Sequence, residues 1–416
     1  MIAPNADARP LRLAYGTNVA PQEDVAGILG ALAGLWSDVR RRAAATSDDP
    51  DASLGLGLWL AEPAAVALAR DAGAMREVRA VLVASGLEIA TVNAFPQRAF
   101  HAPVVKDAVY RPDWTDPTRF AYTSAVARAV AGIVPPGADV TISTLPLGFP
   151  KFAPEARLRA AGLLFATVLE LHRLREATGT TLRLALEPEP ACALETTTEA
   201  MEFFVTAVRP FTGAMARAAG MSDDAAQALV ARHLGVCLDL CHAAVEHEDP
   251  FEARERLRGA GVSVFKVQVS AAVEVPDPAD PAQRAALEAF VEPRWLHQVG
   301  VPADVAVGAP GRAGPAARVV RDLPDALADP SLAARRPWRV HFHVPLHAAE
   351  VGGLPTTRPV VERYLAMHAV DPEPPVLEIE TYTWGVVPGA SPDLAANVAA
   401  EIDWVRGRLR PPAART

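Results

Sequence analysis

Cysteine is scarce in this sequence: there are three, Cys192, Cys237 and Cys241, in 416 residues. They cannot all pair within one chain, and none has the CxxC spacing of a zinc ribbon or redox motif. A reducing cytoplasm is the expectation. Aromatic residues make up 6%, too few for the stacking platforms that hold single-stranded nucleic acid. A basic excess is also missing, with a formal net charge of -9 and a pI near 5.6. Nucleic-acid binding needs a basic stripe to displace counterions, so no such partner is expected. No apolar run approaches the roughly 18 residues of a membrane span. The opening MIAPNADARPLRLAYGTN lacks the basic and apolar regions and the cleavage site of a signal peptide. Any service to a membrane pathway is therefore expected from solution. Walker A, strand-borne GxGxxG and GxSxG motifs are absent as well, which demotes P-loop phosphoryl transfer and serine hydrolysis.

What the chain does have is 50% hydrophobic and 21% charged residues, an ordinary globular balance with a substantial core. Short apolar runs alternate with stretches of helical spacing. Strand candidates are LRLAYGTN (11–18), LGLGLWL (54–60), LEIATVNAF (87–95), DVTISTLPLGFP (139–150), TLRLALEPEP (181–190), LGVCLD (234–239), VSVFKVQVS (262–270), WRVHFHVPL (338–346) and VLEIETYTW (376–384). Helices are expected between them, among others at 62–84, 117–134, 154–178, 222–232, 250–260, 357–369 and 391–408. This rhythm argues an α/β fold with a parallel sheet closed into a (β/α)8 TIM barrel. Nine candidates compete for eight places, so either WRVHFHVPL is an inserted strand over the mouth or an earlier run, 11–16 or 262–270, is no barrel strand. The expected organisation is a single barrel domain over 11–408, an insertion at about 271–336 before the last strand, and flexible tails at 1–10 and 409–416.

The chemistry gathers where these strands end, because the C-terminal rim is where such barrels work. The run at 234 ends on Asp239 with His242 three residues on, the run at 181 on Glu187 and Glu189, the run at 262 on Lys266 and Gln268, the run at 338 on His341 and His343, and the run at 376 on Glu378 and Glu380. Residues i and i+2 share a strand face, and the one nearer the C-terminal end lies nearer the rim, which favours Glu380 over Glu378. Pro188 and Pro190 end their strand early and favour Glu187. Taken singly, Asp239 caps a helix and each glutamate has an ion-pair partner. Taken together, repeated carboxylates at strand ends cost several kcal/mol unless compensated, and a divalent cation compensates them. Gln268 is a candidate ligand or substrate contact. Asn93, and His101 in the long loop after the third strand, suit substrate hydroxyls; His297 in WLHQV either folds over the site or is a loop histidine.

The strand-end sequences LALEPEP, CLDLCH, KVQVS, HFHVP and LEIETYTW resemble those of the xylose-isomerase-like TIM-barrel superfamily of sugar isomerases, ketose epimerases and endonuclease-IV-type enzymes. More closely, NAFPQRAFH, VYRPDW, TISTLPLGF, ALEPEP, CLDLCHAAVEHEDP, KVQVS, LHQV, VHFHVP and LEIETYTW, in that order over about 11–406, look like the EboE-type metabolite-traffic proteins. The superfamily resemblance implies a divalent-metal site (manganese, magnesium, zinc or cobalt) of a Glu, an Asp, a His and a Glu. These fall on Glu187, Asp239 with His242 beside it, and Glu380. Gln268 stands where the relatives have histidine, which moves the nitrogen ligand to His343 or His341. The resemblance implies isomerisation or epimerisation of a small sugar-like or polyol-like substrate. Glu187 or Glu380 would move the proton, Lys266 would assist, and Asn93, His101, Glu189, His297 and His341 would touch the substrate. The EboE likeness implies secondary-metabolite traffic, with partner proteins of a metabolite-export gene cluster. Two rival readings stay open: phosphoester hydrolysis of the endonuclease-IV type with two or three metals, and a non-catalytic metabolite-binding barrel.

Overall fold

The computed structural model describes residues 12–46, 49, 51–98, 102–303, 317–385 and 391–409. Eight parallel strands close a barrel: β1 (Leu13–Gly16), β2 (Leu54–Trp59), β3 (Leu87–Asn93), β4 (Asp139–Thr144), β5 (Thr181–Leu186), β6 (Leu234–Asp239), β7 (Val264–Val269) and, last in the chain, β14 (Val376–Ile379), which pairs with both β7 and β1. The intervening helices form the outer layer, among them the 25-residue Pro154–Thr178 helix, which begins on a first-turn proline and stops at Gly179 in the left-handed region (φ 74°). The single helix expected over 62–84 is two, Glu62–Arg70 and Ala72–Ala84. Asp71 separates them because its backbone is extended and its carboxylate accepts from Gly73 N and Ala74 N, which starts a new helix.

Between β7 and β14 the chain leaves the barrel and builds a second, antiparallel sheet of β8 (Val273–Val275), β9 (Val299–Pro302), β10 (Ala317–Val320) and β11 (Trp338–Val340), in the order β10-β9-β11-β8. A small hairpin, β12 (Glu350–Val351) with β13 (Leu354–Pro355), follows. The ninth strand candidate is thereby placed. WRV of WRVHFHVPL is β11, outside the barrel, and both 13–16 and 264–269 are barrel strands. Beyond β11 the chain runs back across the rim, where Val344 N donates to Ala271 O (3.0 Å) and Thr383 Oγ1 donates to His343 O (2.6 Å).

The barrel interior holds a charged layer. Lys266 and Glu378, neither with any solvent exposure, lie on adjacent strands and form an ion pair (3.0 Å), and Lys266 Nζ also donates to Ser143 Oγ across the barrel (3.0 Å). Gly57 on β2 faces this pair, and a Cβ there would collide with the Glu378 carboxylate. The glycine is what lets the carboxylate fit.

The last helix, Leu394–Leu409, ties this region together through Glu401. Its Oε2 accepts from the Tyr15 hydroxyl (2.6 Å), and its Oε1 accepts from Leu346 N (2.8 Å) and Thr381 Oγ1 (2.9 Å). Burial pushes the Glu401 carboxyl up to about 7. Because the folded value lies above the unfolded one, the native state binds the extra proton. The associated stability is full below the unfolded pKa and is lost as pH rises through the folded value. Glu401→Gln keeps an acceptor for Leu346 and Thr381 and lacks this titration. Between about pH 5 and pH 8 the variant is expected to gain about 3 kcal/mol on the wild type in urea-unfolding free energy.

Candidate metal centre at the barrel rim

Asp239 closes β6, Glu187 lies one residue past β5, and Glu380 one residue past β14. The three carboxylates meet, offering ligand oxygens all within 4.8 Å of one another. Asp239 does the bland job as well as the candidate one. Its Oδ1 caps the next helix, accepting from His242 N and from Ser270 Oγ (2.8 Å each), while its Oδ2 is buried without a hydrogen-bond partner. Glu187 Oε2 and Glu189 Oε2 are orphaned in the same way. Glu380 Oε1 accepts from Asn18 Nδ2 (2.7 Å) and Asn93 Nδ2 (3.1 Å).

Three imidazoles complete the arrangement. His242 Nδ1 donates to Pro188 O (2.9 Å), His343 Nδ1 to Glu380 O (2.9 Å), and His341 Nδ1 to Gln298 Oε1 (2.7 Å). The Gln298 amide is oriented by its Nε2, which donates to Tyr110 Oη (3.2 Å) and Pro190 O (3.1 Å). With each proton drawn to Nδ1, the three Nε2 atoms present lone pairs to one another. His341 Nε2 sits 3.2 Å from that of His242 and 3.1 Å from that of His343. Asp239 Oδ2 lies 3.9 Å from His343 Nε2. Lone pairs converging at such distances repel unless a cation sits between them.

The electrostatics agree. Burial first, then the neighbouring Glu380 and Asp239 charges, hold the Glu187 carboxyl well above the usual range; Glu380 is raised by burial, Asp239 and Glu378. Burial lowers His343 to about 4 and holds His341 well below the usual imidazole range, the latter also through His242 and His343. Carboxylates crowded together and imidazoles stripped of their protons are the two halves of a cation-binding donor set. The residues therefore fit a divalent metal. Four overlapping donor groups are available, one of oxygens (Glu187, Asp239, Glu380) and three richer in nitrogen or sulfur (Asp239, His242, His343; Glu189, His242, His341; Cys241, His341, His343), with Asp239 in both kinds.

The remaining candidates fall at different depths. Glu189 lines the cavity, its Oε1 accepting from the Tyr110 hydroxyl (2.7 Å). Gln268 is fully buried on β7, and both its amide atoms lack hydrogen-bond partners. Neither Gln268 nor Lys266 is among the residues lining the cavity. His297 stays out of it too: its ring stacks on Phe342 (3.6 Å between centroids), with Nδ1 on His341 O (2.9 Å) and Nε2 on Glu292 Oε1 (2.7 Å), so it anchors the inserted segment. His101 lies outside the described residues. Sequence reasoning passed over Asn18, Tyr110, Gln298 and Tyr382. Asn18 ends the run 11–18, two residues past β1, and carries the same signal as Asn93; the others gain a role only through contacts. Gln298→Leu is expected to weaken metal binding 10- to 100-fold, as loss of a supporting partner does, measured by competition with a chromophoric chelator.

No protein-family model matches this chain, and no curated protein matches it. Among solved structures, the chain is similar to a xylose-isomerase-like TIM-barrel protein from Mycobacterium smegmatis in complex with magnesium (12% identity, 96% of each chain, TM-score 0.48). It is also similar to the IolI protein with a bound zinc atom (10% identity, 96% of this chain and 99% of that one, TM-score 0.45). A third is the 3-keto-D-glucoside 4-epimerase YcjR from E. coli (12% identity, 62% of this chain and 79% of that one, TM-score 0.34). The closed parallel (β/α)8 barrel itself is established by the strand pairing. No helix among the described residues is long and apolar enough to cross a membrane.

Proposed function

We propose that this protein is a divalent-metal-dependent isomerase or epimerase of a sugar-like or polyol-like small molecule. The observation that carries this reading is the meeting of three Nε2 lone pairs and an orphaned Asp239 oxygen beside Glu187 and Glu380 at the barrel rim. A divalent cation bound there supplies Lewis-acid polarisation of a carbonyl and its neighbouring hydroxyl. Glu187, which lines the cavity at the end of its strand, takes the proton from the carbon beside that carbonyl and returns it. Asn18 and Asn93 hold Glu380 in one orientation. Lys266, paired with Glu378 below the site, contributes positive charge without contact to the cavity. The ordered EboE-like motifs support a place in secondary-metabolite processing or traffic.

The experiment is to load the purified chain with manganese, measure bound metal, and follow incorporation of solvent deuterium beside the carbonyl in a panel of ketoses and inososes by NMR. Metal-dependent exchange is the expected result. Protein that binds no divalent metal and melts at the same temperature with EDTA or manganese refutes the reading. The nitrogen-rich position favours one rival, a two-metal phosphoester hydrolase. Two metals per chain, with turnover of a generic phosphodiester and no deuterium exchange, would establish that rival instead.

A further inference from the structure

The cavity above the metal ligands is built of two chemistries. Its floor is polar: Glu187, Glu189, Glu380 and the imidazoles of His242, His341 and His343, with Asn18 and Asn93 beside them. Its upper walls are apolar or aromatic, contributed by Phe95, Val109, Tyr110, Trp295, Leu296 and Tyr382 from separate stretches of the chain. These walls are mutually packed. Tyr382 meets Trp295 edge-on (centroids 5.3 Å, 76°), Phe95 meets Tyr110 edge-on (5.9 Å, 64°), and Tyr110 stacks on Phe149 (5.1 Å, 14°). A free sugar, hydroxylated all round, would bury its hydroxyls against such walls without partners.

Charge narrows the choice further. Lys106 is the one cation among the described residues lining the cavity, and its Nζ is spent on Trp295 O (2.6 Å) and Asp322 Oδ2 (2.7 Å). No arginine lines it among the described residues. Phosphate recognition uses guanidinium or ammonium groups or helix N-terminal amides aimed at the anion.

Resting on the metal-site reading above, we propose that the substrate is uncharged and amphipathic. A polyol-like or hydroxy-carbonyl head sits on the metal-binding floor, and a flat apolar substituent lies against the wall formed by Trp295, Leu296 and Tyr382. The substrate carries no phosphate. A concave site with apolar walls and a few convergent polar groups discriminates in this way, each end taking the matching part of the ligand.

The test uses calorimetry on the full manganese-loaded chain with three probes: methyl β-D-glucopyranoside, phenyl β-D-glucopyranoside and glucose 6-phosphate. The phenyl compound is expected to bind about ten- to a hundredfold more tightly than the methyl one, as burial of one aromatic ring allows. Glucose 6-phosphate is expected to bind no more tightly than the methyl glycoside. Trp295→Ala, and the milder Leu296→Ala should the first fail to fold, are each expected to shrink the phenyl preference at least severalfold. Metal-loaded protein with no phenyl preference, including no measurable binding of either glycoside, overturns the proposal and leaves the metal reading standing. Tightest binding by glucose 6-phosphate overturns it as well. A chain that takes up no manganese fails the metal reading itself, and metal content measured on the same batch separates the cases.

Discussion

Alanine in place of His341 is expected to lower divalent-metal affinity about a thousandfold, beyond the 10- to 100-fold that a supporting partner costs. His341 Nε2 lies between the Nε2 atoms of His242 and His343, so its loss takes the central nitrogen from the cluster. A metal present at a thousand times its dissociation constant stabilises the native state by about 4 kcal/mol, and this increment should vanish in the variant. The metal-free protein should respond differently. There the substitution removes a lone pair facing two others, so the metal-free variant should lose less stability than an ordinary cavity-forming His→Ala change. Metal content after dialysis and melting curves with EDTA or zinc measure both effects. Undiminished metal content in the variant would rule out the histidine cluster as the binding position.

Glu187→Gln is expected to reduce turnover about a thousandfold, within the range general-base removal produces, while metal still binds at saturating concentration. Glutamine keeps one oxygen donor and nearly the same volume, so the donor set survives and proton transfer does not. The pH profile supplies a second readout. In the wild type the Glu187 carboxyl acts as a base only when unprotonated, so the rate has an acid limb that reports on this group. The acid limb of the rate profile should therefore flatten in the variant. Deuterium exchange followed across pH measures this. A variant that exchanges at the wild-type rate would transfer the role of base to Glu380.

Much of the barrel was legible because its signal is local. The mostly apolar run Thr181–Leu186, interrupted by Arg183, is followed directly by Glu187, and Leu234–Asp239, buried throughout, ends on Asp239; a parallel strand buried on both faces reads as a near-continuous apolar run. The order of the runs places Glu187, Asp239 and Glu380 on one rim once the barrel closes. The helix break at Asp71 was missed because a lone aspartate between alanine-rich stretches is compatible with helix continuation, and the capping contacts to Gly73 and Ala74 decide against it. The ninth strand was ambiguous for a similar reason. WRV has the apolar spacing of a barrel strand, and only its antiparallel pairing with β8 and β9 assigns it to the second sheet.

The sequence by itself determined the fold class, the strand ends and the carboxylates on them, since side-chain period and chain order suffice for that. Only the tertiary structure decided which nitrogens join them. His341 and His343 come from a segment that leaves the barrel after β7 and returns across its mouth, and their lone pairs converge because Gln298, Glu380 and Pro188, distant in sequence, each accept an Nδ1 proton. The same holds for His297, which sequence allows in the site and whose stacking on Phe342 and contact with Glu292 hold it outside. Hydrogen-bond direction is a property of the assembled neighbourhood, and no local pattern in the chain encodes it.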